Sequence, residues 1–242
     1  MEKTDRRLAL VTGGAVRMGK AIALALARQG YAVALHYHQS GEEAQKTADE
    51  IEALGVPAFR FAADLRDERA VRRMFAQVEQ TGLPLAVLVN SAAVMPRQDI
   101  LSMSVEEWDA VMNLNLRAVW LCSVEAARLM QPGGVIINMS DTGARKVWTQ
   151  YPAYVISKAA LEVMTRVLAR RLAPHIRVNA IAPGLILKNE QTSEEEWGRL
   201  IQRLPLQREG SAQDVVRAVL FLVESVYITG EVIVIDGGYG LI

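Results

Sequence analysis

Leu8-Ala9-Leu10-Val11-Thr12-Gly13-Gly14-Ala15-Val16-Arg17-Met18-Gly19 decides the fold. Leu8–Thr12 is a short apolar run that enters a turn at Gly13. From Arg17 to Gln29 the chain is Ala/Leu-rich with helical spacing, and Gly30 closes it. Such a strand–glycine–helix junction suits a phosphate. Glycines allow a tight turn and close backbone approach, and the helix N-terminus attracts the anion. The competing reading is a turn that merely needs glycine. The ordinary pattern places a third glycine where Arg17 stands, and an arginine there adds a fixed charge for the phosphates or the substrate.

Outward from that start, strand-like and helix-like segments alternate. Tyr31–His38, Val56–Ala63, Leu85–Asn90, Gly134–Met139, His175–Ile181 and Glu231–Asp236 read as further strands. Glu42–Leu54, ended by Gly55, reads as a helix, as do Glu68–Gln80, Val105–Met130, Tyr151–Leu172, Glu194–Arg203 and Ala212–Val223. Ser104 with Glu107 forms a capping box ahead of the segment from 105. The strands lack in/out alternation, so both faces of the sheet are covered. With right-handed crossovers this is an α/β fold: a doubly wound, Rossmann-type parallel sheet of about seven strands with helices on both faces. No repeat or linker divides the 242 residues, so a single domain is expected. Residues 1–100 would be mainly dinucleotide-binding and 101–242 catalytic and substrate-binding. Leu185–Trp197 is the candidate lid, with Thr192 or Ser193 before Glu194-Glu195-Glu196 as a helix start.

Composition narrows the function classes. The chain is 51% hydrophobic, ample for one large core. Lys plus Arg and Asp plus Glu balance at 27 each, which argues against a general nucleic-acid binder, whose affinity rests on neutralising phosphates. The apolar stretch after the charged Met1–Arg7 is too short for a signal h-region, and no run approaches the roughly 18 apolar residues of a membrane helix. No membrane association and a cytoplasmic, reducing location are expected. Cys122, the single cysteine, lies in an apolar helical run and reads as a buried thiol rather than a nucleophile.

Open α/β sheets bind ligands at the carboxyl ends of their strands. The second strand ends His36-Tyr37-His38-Gln39-Ser40, with no acid to grip a ribose 2′-hydroxyl, whereas a histidine and a serine can donate to a 2′-phosphate. NADPH is therefore expected over NADH. A metal pair at His36 and His38 is the rival reading; with His175 the only other histidine, no metal is expected. Asp64-Leu65 ends the third strand, and Asp64 either accepts from an adenine amino group or serves as a turn aspartate. Asn90-Ser91-Ala92-Ala93 leaves room for a cofactor or simply makes a tight turn. Tyr154 and Lys158, four apart, share a helix face. The ammonium is expected to lower the phenol's pKa and make Tyr154 a proton donor for a group receiving a hydride. Asp141 follows the fifth strand as a site carboxylate or a loop cap. Asn115 is either functional or a packed polar residue in mid-helix.

The glycine turn Gly13–Gly19, Asn90-Ser91-Ala92, Asn115 in Asn-Leu-Arg-Ala, Tyr154 with Lys158, Pro183-Gly184 and Asp236-Gly237-Gly238 together resemble the classical short-chain dehydrogenase/reductase family over essentially the whole chain. Three features resemble its pteridine reductase branch: Thr-Gly-x-x-x-Arg-x-Gly in place of the three-glycine turn, Asp141 where most members carry the catalytic serine, and His-Tyr-His-x-Ser after the second strand. Ser157–Glu162 through Leu172-Ala173-Pro174 continues that likeness. Ile181–Glu190 is most similar to the bacterial dihydromonapterin reductases, which also reduce dihydrofolate.

The resemblance implies NADPH-dependent reduction of a dihydropterin (dihydromonapterin, dihydrobiopterin or dihydrofolate), with hydride transfer to C6 and a proton to N5, and it implies a homotetramer. It implies catalytic roles for Asp141, Tyr154, Lys158 and Asn115. To the cofactor it assigns Gly13, Arg17, Met18, Gly19, His38, Gln39, Ser40, Asp64, Leu65, Asn90, Ser91, Ala92, Pro183, Gly184 and Ile186, with Tyr154 and Lys158. To the substrate it assigns Arg17, Met95, Leu187 and Trp197, with Asp141 and Tyr154. Met95 stands where the branch often has a phenylalanine that stacks on the pterin, and Gln39 where it often has an arginine.

Two other function classes compete. One is an NADPH-dependent carbonyl reductase of a 3-oxoacyl, sugar or steroid substrate, with Ser140 or Thr142 serving the carbonyl oxygen if the loop register differs. The other is a non-catalytic NADP(H)-binding regulatory protein, against which stand Tyr154, Lys158 and Asn115.

Overall fold

The computed structural model describes residues 6–188 and 192–242. Its strands are β1 (Leu8–Thr12), β2 (Ala32–Tyr37), β3 (Ala58–Ala62), β4 (Leu85–Asn90), β5 (Gly134–Met139), β6 (Ile176–Pro183) and β7 (Val232–Ile235). They form one parallel sheet in the order β3-β2-β1-β4-β5-β6-β7. The helices are α1 (Arg17–Arg28), α2 (Gly41–Glu52), α3 (Glu68–Gln80), α4 (Val105–Met112), α5 (Ala118–Leu129), α6 (Pro152–Leu172), α7 (Glu194–Arg203) and α8 (Ala212–Glu224).

Every residue of β1, β4 and β5 is buried, which is why these strands read as unbroken apolar runs. Alternate residues feed opposite cores. Ala9, Val11, Val33, Leu35, Val89 and Ile137 pack with Ile22 and Leu26 of α1 and Val215, Val219 and Leu222 of α8. Leu8, Leu10, Ala34, Leu88 and Ile136 pack with Val71, Met74 and Phe75 of α3 and with Leu121 and Leu168. Cys122 belongs to this second core, where burial pushes its thiol up to about 12, as expected of an inert residue. The chain runs outward from β1 to β3 and returns to place β4 beside β1. That reversal opens a crevice at the carboxyl ends of β1 and β4, where doubly wound sheets hold ligands.

The continuous helix expected over Val105–Met130 is not what forms. The capping box of Ser104 and Glu107 is present, but α4 ends at Met112, a π-helical turn spans Asn113–Arg117, and α5 carries on to Leu129. The bulge faces the fully buried Asn115 inward. Other element ends differ from expectation by one or two residues, where polar ends fray against turns. Gly30 and Gly55 take left-handed φ values of +87° and +83° just beyond α1 and α2. Among the described residues, no helix is long and apolar enough to cross a membrane. The Asn189-Glu190 end of the Ile181–Glu190 stretch, and part of the candidate lid, lie outside the described residues.

Candidate active site

The glycine turn is held by buried polar side chains behind it. His36 Nδ1 accepts from the Gly13 N–H at 3.1 Å, and its Nε2 donates to the Ala63 carbonyl at 3.0 Å. The Gly14 N–H donates to the His36 carbonyl at 3.0 Å, and Thr47 Oγ1 donates to Ala15 O at 2.9 Å. Both ring nitrogens of His36 are thus engaged, leaving none for the metal-pair reading. Burial lowers its pKa to about 4, so it is neutral at neutral pH. Thr12 Oγ1 accepts from the Ser91 and Ala92 N–H groups, which ties the β4 loop to the turn. Motif spacing does not point to Thr47, nor to these bonding roles of Thr12 and His36. Their only signal is a polar residue inside an apolar strand or on the buried face of a helix.

A group with an extended phosphate-bearing backbone fits this cradle. A Cβ on Gly19 would sit 2.0 Å from Gly13 O, and one on Gly13 would sit 3.1 Å from Ala92 Cα. Arg17 itself adopts a left-handed φ of +51°, the conformation a third glycine would supply, and its Nη2 donates to Lys188 O at 3.0 Å. A cleft of about 620 Å³ opens beside the turn. Gly13, Arg17, Met18, Gly19, His38, Gln39, Asp64, Leu65, Ser91 and Ala92 line it, as expected.

The structure places other expected cofactor residues elsewhere. Asn90 turns its amide into a buried polar chain, donating to Ser123 Oγ and Asn138 Oδ1, because β4 is covered on both faces. Ser40 precedes α2 without capping it, and Ile186 packs into the apolar core near Gly210. Pro183 ends β6, and Gly184 lines the neighbouring cavity rather than the cleft. Arg66, not anticipated, lies on the cleft wall and grips both oxygens of Asp64, which holds the Asp64 carboxyl down to about 2. Asp64 also accepts from the Arg66 N–H, so the turn-aspartate reading describes its local structure.

At the ends of β5 and α6 the expected catalytic groups meet. Tyr154 Oη donates to Asp141 Oδ2 at 2.8 Å, while Asp141 Oδ1 accepts from the Gly143 N–H at 2.6 Å. Lys158 Nζ lies 5.6 Å from the Tyr154 ring centroid and donates to Met139 O at 2.7 Å. Asn115 makes a paired hydrogen bond with the Val94 backbone, at 3.0 and 2.9 Å, and donates to Ser157 Oγ at 3.3 Å. It therefore braces the wall next to Lys158.

The electrostatics correct one expectation. The phenol's pKa is raised, not lowered: desolvation and the Asp141 carboxylate both favour the protonated form. Lys158 is itself weakened by burial, to about 8, and its ammonium gives one of its three donors to a backbone carbonyl. Asp141 is raised by desolvation against the opposing Gly143, Tyr154 and Lys158 interactions.

The neighbours of Asp141 point elsewhere. Ser140 Oγ bonds Lys158 O and Glu162 Oε1, and Thr142 Oγ1 reaches Asp236 Oδ2 at 3.4 Å. Both are buried. Beyond Asp141 lies a second cavity of about 380 Å³, lined by Met95, Leu187 and Trp197 as expected, and by Trp148, Tyr151 and Tyr239, which were not singled out. Trp148 packs edge-on to Tyr151 at 6.3 Å and tilted to Tyr239 at 6.1 Å. Trp197 both lines the cavity and joins a small core with Leu185, Leu204 and Tyr239, its indole N–H donating to Glu209 at 2.8 Å.

Known proteins resemble the chain from end to end. The profile of the enoyl-(acyl carrier protein) reductase family matches residues 14–240. An uncharacterised oxidoreductase, YgfF of Escherichia coli (strain K12), is 36% identical over 96% of this chain and 99% of its own length. The 3-oxoacyl-(acyl carrier protein) reductase FabG of Staphylococcus aureus is 37% identical over 95% and 96%. FolM alternative dihydrofolate reductase 1 from Brucella canis, solved complexed with NADP, superposes with a TM-score of 0.93 and 35% identity over 98% and 95%.

Proposed function

The chain belongs to the short-chain dehydrogenase/reductase family, and on that premise we propose that it reduces a 7,8-dihydropterin to the tetrahydro form with NADPH. The observation that carries the reading is the Asp141–Tyr154 hydrogen bond at the cavity floor, with Ser140 and Thr142 both turned into buried bonds of their own. A carbonyl reductase needs a hydroxyl donor beside the tyrosine; a carboxyl group there suits a heterocycle that presents ring N–H and amino donors. The likeness to FolM supports this choice, while FabG and YgfF support only the broader oxidoreductase class.

NADPH, when bound, supplies the hydride that reduces C6 of the N5=C6 imine. Backbone N–H groups of the glycine turn and the charge of Arg17 would hold its pyrophosphate, and His38 and Gln39, which line the cleft just past β2, would meet the ribose phosphate. Lys158 would hold the nicotinamide ribose. Asp141 accepts from the pterin's donors and fixes the ring against the aromatic walls Trp148 and Tyr239. Tyr154, kept protonated by its surroundings, shares a hydrogen-bonded proton with Asp141, and this pair holds the proton that N5 requires. Asn115 keeps the Val94 loop and the 157–158 turn of α6 in register.

The reading includes a homotetramer. An apolar groove along α5 and α6, where Trp120, Val163 and Val167 are exposed beside Met112 and Leu116, supports packing against other copies. Steady-state assays of dihydromonapterin, dihydrofolate and simple ketones with NADPH test the activity. Asp141→Ser is expected to cut dihydropterin turnover by at least ~10-fold, the lower range for lost acid/base help. Unchanged turnover removes Asp141 from the mechanism, and ketone turnover in the native protein removes the pterin reading.

A further inference from the structure

We propose that Arg97 binds a carboxylate on the substrate's tail at the rim of the cavity, a place that Glu196 holds in the free protein. This rests on the dihydropterin reading and deepens it: the favoured substrate carries an anionic tail of the glutamyl type found in dihydrofolate, rather than a neutral hydroxyalkyl chain.

The guanidinium lies between three elements. Its Nε donates to Tyr151 Oη at 2.8 Å, and its Nη2 reaches both oxygens of Glu196, at 3.3 and 3.2 Å. Among the described residues Nη1 makes no hydrogen bond, so the fork is only part-used. Tyr151 and Glu196 both line the cavity whose floor is Asp141, and Met95 of the same loop as Arg97 lines it too. In this proposal the C6 substituent of a pterin held at Asp141 points toward this rim, where Arg97 contacts the lining residues Tyr151 and Glu196.

The Arg97–Glu196 pair is exposed, with side chains 37% and 39% accessible. Exposed pairs of this kind contribute little stability, so an arriving carboxylate displaces Glu196 at small cost. Arginine matches a carboxylate in a planar, two-pronged way that a lysine cannot. Glu196 sits in the first turn of α7 behind Ser193, whose hydroxyl accepts from its N–H, so the glutamate keeps a favourable helix-terminal position after release. Lys188 pairs with Glu194 of the same turn, so α7 offers its acids to two cations near the mouth.

The test compares wild type, Arg97→Gln and Glu196→Gln with dihydrofolate and with a dihydropterin bearing a neutral side chain. Arg97→Gln is expected to raise KM for dihydrofolate about 5- to 10-fold, with kcat held, and to move the neutral dihydropterin by less than about 2-fold. Glu196→Gln is expected to lower KM for dihydrofolate about 3-fold, an improvement that misfolding cannot produce. Equal changes on both substrates, as a mere strap between loop and α7 would give, overturn the proposal; so does no change on dihydrofolate. p-Aminobenzoyl-glutamate alone is titrated against Trp148 and Trp197 fluorescence in the three proteins. Binding weakened by Arg97→Gln and tightened by Glu196→Gln supports the carboxylate site even if neither dihydropterin is turned over, in which case the pterin reading fails by itself. Binding identical in all three proteins overturns the carboxylate site.

Discussion

His36 ties the stability of this fold to pH through a single ring. In the folded protein its pKa is lowered from 6.5 to about 4, chiefly by burial. The unfolded chain therefore takes up a proton first as pH falls. The stabilisation from the neutral ring is complete above pH 6.5 and is lost between there and about 4. The 2.5-unit gap corresponds to about 3 kcal/mol at full loss, and to about 2 kcal/mol between pH 7 and pH 5. His36→Gln keeps an acceptor for the Gly13 N–H and a donor for Ala63 O but cannot titrate. Urea unfolding of both proteins at pH 7, 6 and 5, followed by tryptophan fluorescence, reads the difference. Wild type should lose about 2 kcal/mol more than the variant over that range, with the same m-value. Parallel losses would mean that the ring is not held neutral and that its bond to the glycine turn does not form as described. The consequence for function is direct, because the same ring anchors the backbone of the glycine turn from behind.

Gly19→Ala places a methyl 2.0 Å from Gly13 O, so the turn must shift; NADPH affinity by fluorescence titration should fall by more than about 10-fold while the cavity residues stay in place. Lys158, lowered to about 8, loses its charge in the free protein as pH rises past that value. NADPH binding should weaken about 3-fold or more from pH 7 to pH 9, and the dependence should vanish in Lys158→Met. Asn115→Ala strands the Val94 N–H and carbonyl and should lower unfolding stability by about 1–3 kcal/mol together with kcat; a stability loss without any kcat effect would assign Asn115 to packing alone.

Patterns along the chain were enough to specify the layered sheet. β1, β4 and β5 match their apolar runs residue for residue, because a strand buried on both faces has no reason to alternate. Gly30 and Gly55 marked helix ends because few other residues enter left-handed conformations cheaply. Tyr154, Lys158 and Asp141 were legible because their spacing and their positions at strand and helix ends are local properties. The π-turn at Asn113–Arg117 was not legible: nothing in Asn-Leu-Asn-Leu-Arg departs from a helical pattern, and the bulge answers to the Val94 backbone, which lies outside the segment.

What the sequence by itself determined is therefore the order of strands and helices and which chemical groups gather at the sheet's carboxyl edge. Tertiary structure decided which way those groups face and what they are worth. It turned Asn90 and Ile186 into the interior, set Arg66 on the cleft wall, and made Trp148 and Tyr239 the cavity's aromatic sides. It also reversed the sign of the tyrosine's perturbation, since the distance to Asp141 and the loss of water outweigh a lysine four residues away. The physical reason is that periodicity is carried by neighbours along the chain, whereas desolvation and hydrogen-bond direction depend on atoms brought together from distant segments.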